Sequence, residues 1–359
     1  MLASRLRLGA LGALVLAMTA GVAVGCGSSS NQATAGPPVP AADAEPDDAE
    51  ADDASAPAKS CDPITPRAAD PEIFIGPTGL KAKLVALIGS ATTSLDVLIY
   101  EIDDADVIAA LVAAKKRGVA VRMVIDRMNQ GTAKATLVAA GVEVHDSSTI
   151  FPYAHAKSML IDKTRSVIMS MNMNEYSING ERNYGAVSTE PGDAEDLSKV
   201  FEADFAGTPM SVELGCSKLL VAPVNARPRI LDLISSTKSK LVMSVMYLTD
   251  PALLQATLDR AAAGVATRII LADPAWIKGN DATAQKLAAA KIPVKYMKAL
   301  DCHAKLVVSD DRAFVGSENM SSNSVDANRE VGIIVSNPAS VAPIEKQFEA
   351  DWLSATAAP

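Results

Sequence analysis

The sequence predicts an α/β protein built from two copies of one plan. Each copy is a mixed or largely parallel sheet covered by helices, and the two are related by pseudo-two-fold symmetry. Three observations predict this. His155-Ala-Lys-Ser-Met-Leu-Ile-Asp162 returns as His303-Ala-Lys-Leu-Val-Val-Ser-Asp310, and two of the chain's three histidines open these copies. Ile75-Gly-Pro77 matches Val221-Ala-Pro223, residues 84–88 match 230–234, and 118–122 match 264–268, all at an offset of 146. Within each copy, apolar β-rich runs alternate with amphipathic helical ones. A period this long is a duplication rather than a solenoid.

Taken in order, the chain opens on a targeting segment. Arg5 and Arg7 precede an apolar, uncharged stretch, 9–24, too short for a membrane span. It ends Ala23-Val24-Gly25-Cys26-Gly-Ser-Ser-Ser, which resembles a bacterial lipoprotein signal, although Ala23 stands where such signals usually place Leu. The resemblance implies removal of residues 1–25, lipidation of Cys26, and an exported protein anchored to a membrane of the cell envelope. A plain secretory signal with an incidental cysteine is the alternative. Residues 26–68 read as a disordered linker rich in Ala and Pro, with seven acids between Asp43 and Asp53.

The first half spans 69–208. A strand near 73–75 leads to a helix over 80–90, a buried strand at 94–100 and a helix at 104–117 closed by Gly118. The run 120–125 is apolar on both faces, as a central strand requires. A third helix covers 131–140. Strands at 156–161 and 165–170 flank the turn Asp162-Lys-Thr164. The second half, 216–356, repeats this, with strands at 304–308 and 313–316.

Alternation along a strand puts His155 and Lys157 on one face, and likewise His303 and Lys305. Ser170 and Asn172, and in the other copy Ser317 and Asn319, follow on the next strand. Two-fold symmetry brings the clusters together. Two ammonium groups and two amides suit an anion with several acceptor oxygens, such as a phosphoryl group. Two imidazoles divide nucleophilic attack from proton transfer. No cofactor is expected, and the sequence offers no convincing metal cluster.

This pattern resembles the phospholipase D superfamily, whose signature is the repeated His-x-Lys-x-x-x-x-Asp. The resemblance covers both motifs, the trailing Ser-x-Asn pairs and the duplicated halves. It implies the phospholipase D-like fold, with His155 as nucleophile and His303 as general acid and base. It further implies phosphate binding by Lys157, Lys305, Asn172 and Asn319. Asp162 and Asp310 complete the catalytic set of the two motifs, in a supporting role. Glu330, in Asn328-Arg-Glu330, is the acid that commonly orients a motif histidine in this family. Aligning Gly185 with Gly332 sets Asn183 opposite Glu330 and leaves Glu181 two residues earlier. Either the half-sites are asymmetric or Glu181 substitutes.

Function follows as an expectation: a phosphodiesterase acting on phospholipid head groups through a phosphohistidine. Phosphatidyl transfer, as in cardiolipin synthases, and endonuclease activity are the alternatives within the superfamily. A catalytically inactive binding module is the alternative outside it. The net charge is −9; residues 1–60 hold three basic residues against seven acids, so the body carries −5. With only 4% aromatics, that acidity disfavours a nucleic-acid partner. The expected partners are a phospholipid or other phosphodiester and, through the anchor, a membrane. The internal duplication suits a monomer.

The remaining candidates are weaker. Export allows one disulfide among Cys61, Cys216 and Cys302, with Cys61–Cys216 favoured because each precedes a half. Cys302 beside His303 can be read as a reactive thiol. His145 reads as an ordinary strand-end residue. Tyr153 and Trp276 either line a cleft or pack. Met169, Met171 and Met173 read as core filler.

Overall fold

Two sheets, one from each half of the sequence, face each other across a shared core. The structure is a computed structural model that describes residues 69–129, 131–208, 212–215 and 217–358. The targeting segment with Cys26, the acidic linker, Cys61 and Cys216 lie outside the described residues. No helix among the described residues is long and apolar enough to cross a membrane.

The first half runs β1 (Glu72–Ile75), α1 (Leu80–Gly89), β2 (Ser94–Ile99), α2 (Ala105–Lys116), β3 (Ala120–Ile125), α3 (Ala133–Ala139), β4 (Glu143–Asp146), β5 (Lys157–Ile161), β6 (Arg165–Met169), α4 (Glu175–Gly180), β7 (Glu181–Arg182), β8 (Tyr184–Ser188) and α5 (Pro191–Phe205). The second runs β9 (Leu219–Ala222), α6 (Ala226–Ser235), β10 (Lys240–Val245), α7 (Pro251–Ala262), β11 (Ala266–Ala272), α8 (Asn280–Ala289), β12 (Val294–Met297), β13 (Asp301–Cys302), β14 (Lys305–Ser309), β15 (Arg312–Gly316), α9 (Ser322–Asp326), β16 (Glu330–Val335), α10 (Pro338–Ser354) and β17 (Thr356–Ala357).

The sheet orders are β1-β8-β6-β5-β2-β3-β4 and β17-β12-β11-β10-β14-β15-β16-β9. Within these two sheets, and among the described residues, only β2-β3-β4 and β10-β11-β12 are parallel. The motif strands β5 and β14 lie antiparallel to β2 and β10. The sheets are therefore mixed rather than largely parallel. The reason is local: β5–β6 and β14–β15 are hairpins, with no crossover helix to reverse direction.

Strand alternation builds three cores. Leu98, Val124 and Leu160 point into the space between the sheets, where they meet Val242, Ile270 and Leu306, with Phe201 of α5 and Phe348 of α10. Val97 and Ile99 point the other way, under Leu84 and Leu111 of α1 and α2. Met243 and Val245 do the same under Ile230 and Leu253 of α6 and α7. Truncating a fully buried leucine such as Leu306 to alanine costs about 2–5 kcal/mol.

The helix starts are capped alike in the two halves. The Asp104 carboxylate accepts from the backbone N–H groups of Asp106 and Val107, and that of Asp250 from Ala252 and Leu253. Past the helix ends, Gly118 and Gly264 take φ of 93° and 87°, a left-handed conformation that glycine adopts without strain. The chain is thus aimed into β3 and β11 in the same way twice.

Candidate active site

The two motif segments meet because the halves exchange chain at their boundary. β7 of the first half pairs in parallel with β13, which runs into His303. The reciprocal contact is shorter. Ala154 bridges to Arg329, and the Arg329 N–H donates to the Tyr153 carbonyl at 3.0 Å. Each histidine is therefore delivered beside the residues that precede β8 or open β16 of the other half.

Those residues hold it. His155 Nδ1 lies 2.8 and 3.0 Å from the two carboxylate oxygens of Glu330. A carboxylate only accepts, so Nδ1 carries the proton and Nε2 is left with its lone pair. Glu330 is fully buried and also accepts from Ser324 Oγ at 2.5 Å and Asn328 Nδ2 at 3.2 Å. His303 Nδ1 faces Asn183 Oδ1 at 3.1 Å and Glu181 Oε2 at 3.2 Å. Asn183 accepts from Ser170 Oγ at 2.8 Å and donates to Glu181 at 3.1 Å. Ser177 Oγ donates to the same Glu181 carboxylate. Of the two arrangements left open by the sequence, both features occur. The half-sites are asymmetric, and Glu181 supplies a carboxylate, but through a network shared with an amide.

Lys157 and Lys305 are fully buried, and each donates to the carbonyl of its own motif histidine, Lys305 at 2.6 Å. Burial pushes Lys157 well down and Lys305 down to about 8. Burial also lowers both imidazoles. His303 falls well below the ordinary value, with Lys305, Lys157 and His155 adding to the effect. His155 falls too, though the Glu330 charge opposes the shift. Burial works to raise Glu330, but its interactions with His155 and Lys157 and the Ser324 hydroxyl outweigh it and hold the carboxyl below the ordinary value. An empty site therefore favours neutral imidazoles, and an arriving anion reverses part of that bias. Asn172 and Asn319 are buried, and the Oδ1 of each has no hydrogen-bond partner among the described residues. An Oδ1 only accepts, so it calls for a donor; a phosphoryl oxygen would be met by the Nδ2 of these amides.

The structure brings together His155, Lys157, His303, Lys305 and Glu330. Ser170 joins as the hydroxyl that fixes Asn183. Ser317 instead donates to the Val331 carbonyl and accepts from its N–H, holding the β15–β16 pairing beside Glu330.

Asp162 and Asp310 are set apart from these groups, which corrects their place among the catalytic residues. Each follows the far end of its motif strand, five residues of about 3.3 Å rise away from the lysine. Asp162 accepts from the N–H groups of Thr92, Thr93 and Ser94, and Asp310 from those of Lys238, Ser239 and Lys240. Both sit at positive φ, 51° and 53°. They tie the hairpin turns to the starts of β2 and β10.

Among the lesser candidates, Trp276 lies with its ring 6.5 Å from that of His303. Tyr153 stands edge-on to Tyr100 at 6.1 Å. His145 stacks on Phe205 at 3.9 Å and bonds its carbonyl, a packing role. The three methionines are wholly buried in the core of the first half. Cys302 is buried with its thiol pushed up to about 11 by that burial, the opposite of a reactive thiolate. Among the described residues, no group of three or more His, Cys, Asp or Glu side chains is arranged to hold a metal ion.

Sequence reasoning missed several members. Tyr100 packs edge-on against His155 at 4.7 Å, with Lys157 Nζ 4.8 Å over its ring. Ser177 and Ser324 each lie five residues past an Asn of the Ser-x-Asn pairs, at an offset of 147, so the repeat itself carried that signal. Glu318 is also fully buried, and neither carboxyl oxygen has a partner among the described residues.

Comparison with known proteins places this geometry. A family model described as "Cardiolipin synthase, PLD-like domain" matches twice, at residues 84–205 and 230–352. Mitochondrial cardiolipin hydrolase of Danio rerio is 26% identical over 127 residues, 34% of this chain and 54% of that protein. The chain thus spans about half the length of that curated relative. A phosphatidylserine synthase from Haemophilus influenzae Rd KW20 superposes with a TM-score of 0.65 at 14% identity, over 80% of this chain and 89% of that one. Polyphosphate kinase from Porphyromonas gingivalis gives 0.61 at 17% identity, over 79% and 50%. At these identities the two structures speak to the fold alone.

Proposed function

Because the chain belongs to the phospholipase D superfamily, with the PLD-like domain in each half, we propose that it hydrolyses phospholipid head-group phosphodiesters through a phosphohistidine. The observation that carries this reading is the bond of His155 Nδ1 to Glu330 across the halves, because it frees a neutral Nε2 for attack. Nε2 of His155 bonds to phosphorus while the bond to the leaving oxygen breaks. His303 delivers a proton to that oxygen. Water then attacks phosphorus, His303 takes its proton, and the P–N bond breaks to restore His155. Glu330 balances the charge on the phosphorylated imidazolium. Lys157, Lys305, Asn172 and Asn319 stabilise the non-bridging oxygens. Burial, with the two ammonium charges adding to it, keeps His303 neutral in the empty site; the substrate anion offsets those charges and favours the acid form when it binds.

A second reading is phosphatidyl transfer, favoured by the description of the matching domain. The same intermediate is then captured by an alcohol instead of water. The reading also has Cys26 lipidated and holding the enzyme at a membrane, supported by the sequence around that cysteine. Labelling with radioactive palmitate tests it: the label enters the wild-type chain and is absent from Cys26→Ala.

The substrate test incubates the purified protein with phosphatidylcholine, phosphatidylglycerol and plasmid DNA separately. Head-group release, lost in His155→Ala, supports hydrolysis. Cardiolipin formed from phosphatidylglycerol supports transfer. A nicked plasmid with both lipids untouched overturns the lipid assignment.

A further inference from the structure

We propose that Arg182 and Arg329 are positioning residues, each fixing the histidine contact made by the residue that follows it. Arg329 precedes Glu330, the partner of His155. Arg182 precedes Asn183, the partner of His303. The two arginines correspond at an offset of 147, and so do their acids Asp204 and Asp351.

Each arginine reaches into the half whose histidine it serves. Arg329 Nε lies 3.0 Å from Asp204 at the end of α5, and its guanidinium lies 4.4 Å from the Phe151 ring. Its backbone N–H holds the Tyr153 carbonyl, two residues before His155. A further N–H donates to the Ala222 carbonyl at the end of β9, 3.0 Å away. Arg182 mirrors this. Its Nε lies 2.8 Å from Asp351 near the end of α10, and its guanidinium donates to the Gly76 carbonyl beyond β1. β7, which contains Arg182, pairs with β13 immediately before His303.

The chemistry explains why the residue is arginine. A planar fork with five donors fixes direction as well as distance, which a lysine ammonium does not. Stability alone is a poor reason for the pair. Arg329 and Asp204 are both buried, and an apolar pair of similar volume often serves a core as well or better. What the fork supplies is register between Glu330 and the Phe151–His155 loop.

This inference rests on the proposed phosphodiesterase chemistry, and the experiment separates the two. Rates are measured for methyl aryl phosphates whose phenol leaving groups differ in acidity, using Arg182→Lys, Arg329→Lys, Asn183→Ala, Glu330→Ala and His303→Asn. Thermal melting reports folding; where an arginine variant fails to fold, Asp351→Asn or Asp204→Asn replaces it. Each arginine variant is expected to lose about ten- to hundredfold in kcat with little change in KM. Its leaving-group dependence and pH profile should match those of the adjacent partner variant, Arg182→Lys with Asn183→Ala and Arg329→Lys with Glu330→Ala. Losses that scale only with the folded fraction, or one profile common to both arginine variants, overturn the positioning role. A His303→Asn variant with unchanged leaving-group dependence overturns the general-acid assignment, while the matching of profiles still decides the positioning role.

Discussion

Glu330 of the second half holds His155 of the first, its carboxylate 2.8 Å from Nδ1, whereas at the equivalent position His303 meets an amide, Asn183, with the Glu181 carboxylate 3.2 Å away. The duplication is therefore broken at one position that touches both histidines. A carboxylate favours the charged imidazole more than an amide does. Glu330→Gln keeps the shape and removes the charge, so kcat should fall about ten- to hundredfold. Asn183→Glu should move the alkaline limb of kcat/KM to higher pH, because a second carboxylate at His303 favours its protonated form. Steady-state kinetics across pH check both; an unmoved limb in Asn183→Glu contradicts the role given to the asymmetry.

The pH dependence of the unmodified protein follows from burial. Both imidazoles titrate below their ordinary value in the empty site, so the kcat/KM bell should centre below pH 6.5. Its limbs belong to the coupled pair rather than to either residue. Bound phosphate raises His303, so the kcat profile should lie at higher pH than that of kcat/KM. Lys305 loses its charge near pH 8, and KM should rise above that point. A kcat/KM plateau extending to pH 8 would contradict this.

Asp162 and Asp310 should matter to stability rather than chemistry. Asp310 is held down to about 2 by the Ser239 hydroxyl and three backbone N–H groups, which together outweigh its partial burial. An acid depressed in the folded state stabilises above its unfolded value and loses that contribution as pH falls. Asp310→Asn should cost about 1–3 kcal/mol at pH 7 by removing charge-assisted hydrogen bonds. The difference should shrink between pH 4 and 2. Denaturant melts at several pH values measure it. A variant that stays folded but loses its kcat would return the aspartate to the catalytic set.

Much of this was legible in the sequence, and the limits were physical. The repeat exposed the His-x-Lys pairs because chemistry fixes those residue types at fixed spacing. It did not expose Tyr100, whose contact with His155 depends on β5 pairing with β2 rather than on any motif. Between the mixed and the largely parallel sheet that the sequence allows, helix and strand alternation does not decide, because it says nothing about a hairpin inserted at the motif. The exchange of β7 and β13 between halves joins residues over a hundred positions apart, beyond what local pattern reports. The motif groups Asp162 with His155, although six residues, most of them in β5, lie between them.

Glu318 occupies the position of Met171 in the other half. It is buried, its carboxyl oxygens have no hydrogen-bond partner among the described residues, and burial raises the carboxyl well above the ordinary value. Gly316 and Gly332 lie against it, so the space exists only because both lack a side chain. An acid raised in the folded state destabilises progressively as pH climbs from its unfolded value towards its folded one. Glu318→Met should therefore raise Tm at pH 8 and give a smaller gain at pH 4.5. A gain independent of pH, or a loss at both, would contradict the account.

The central claim is that His155 forms the bond to phosphorus. His303→Asn removes the group that activates water, while p-nitrophenolate leaves without a proton. Bis(p-nitrophenyl) phosphate mixed with that variant should release a burst of one equivalent of p-nitrophenolate. Intact-protein and peptide mass spectrometry after an alkaline quench should then place the p-nitrophenyl phosphoryl group on His155. An adduct on another residue, or a burst with no adduct at all, would contradict it.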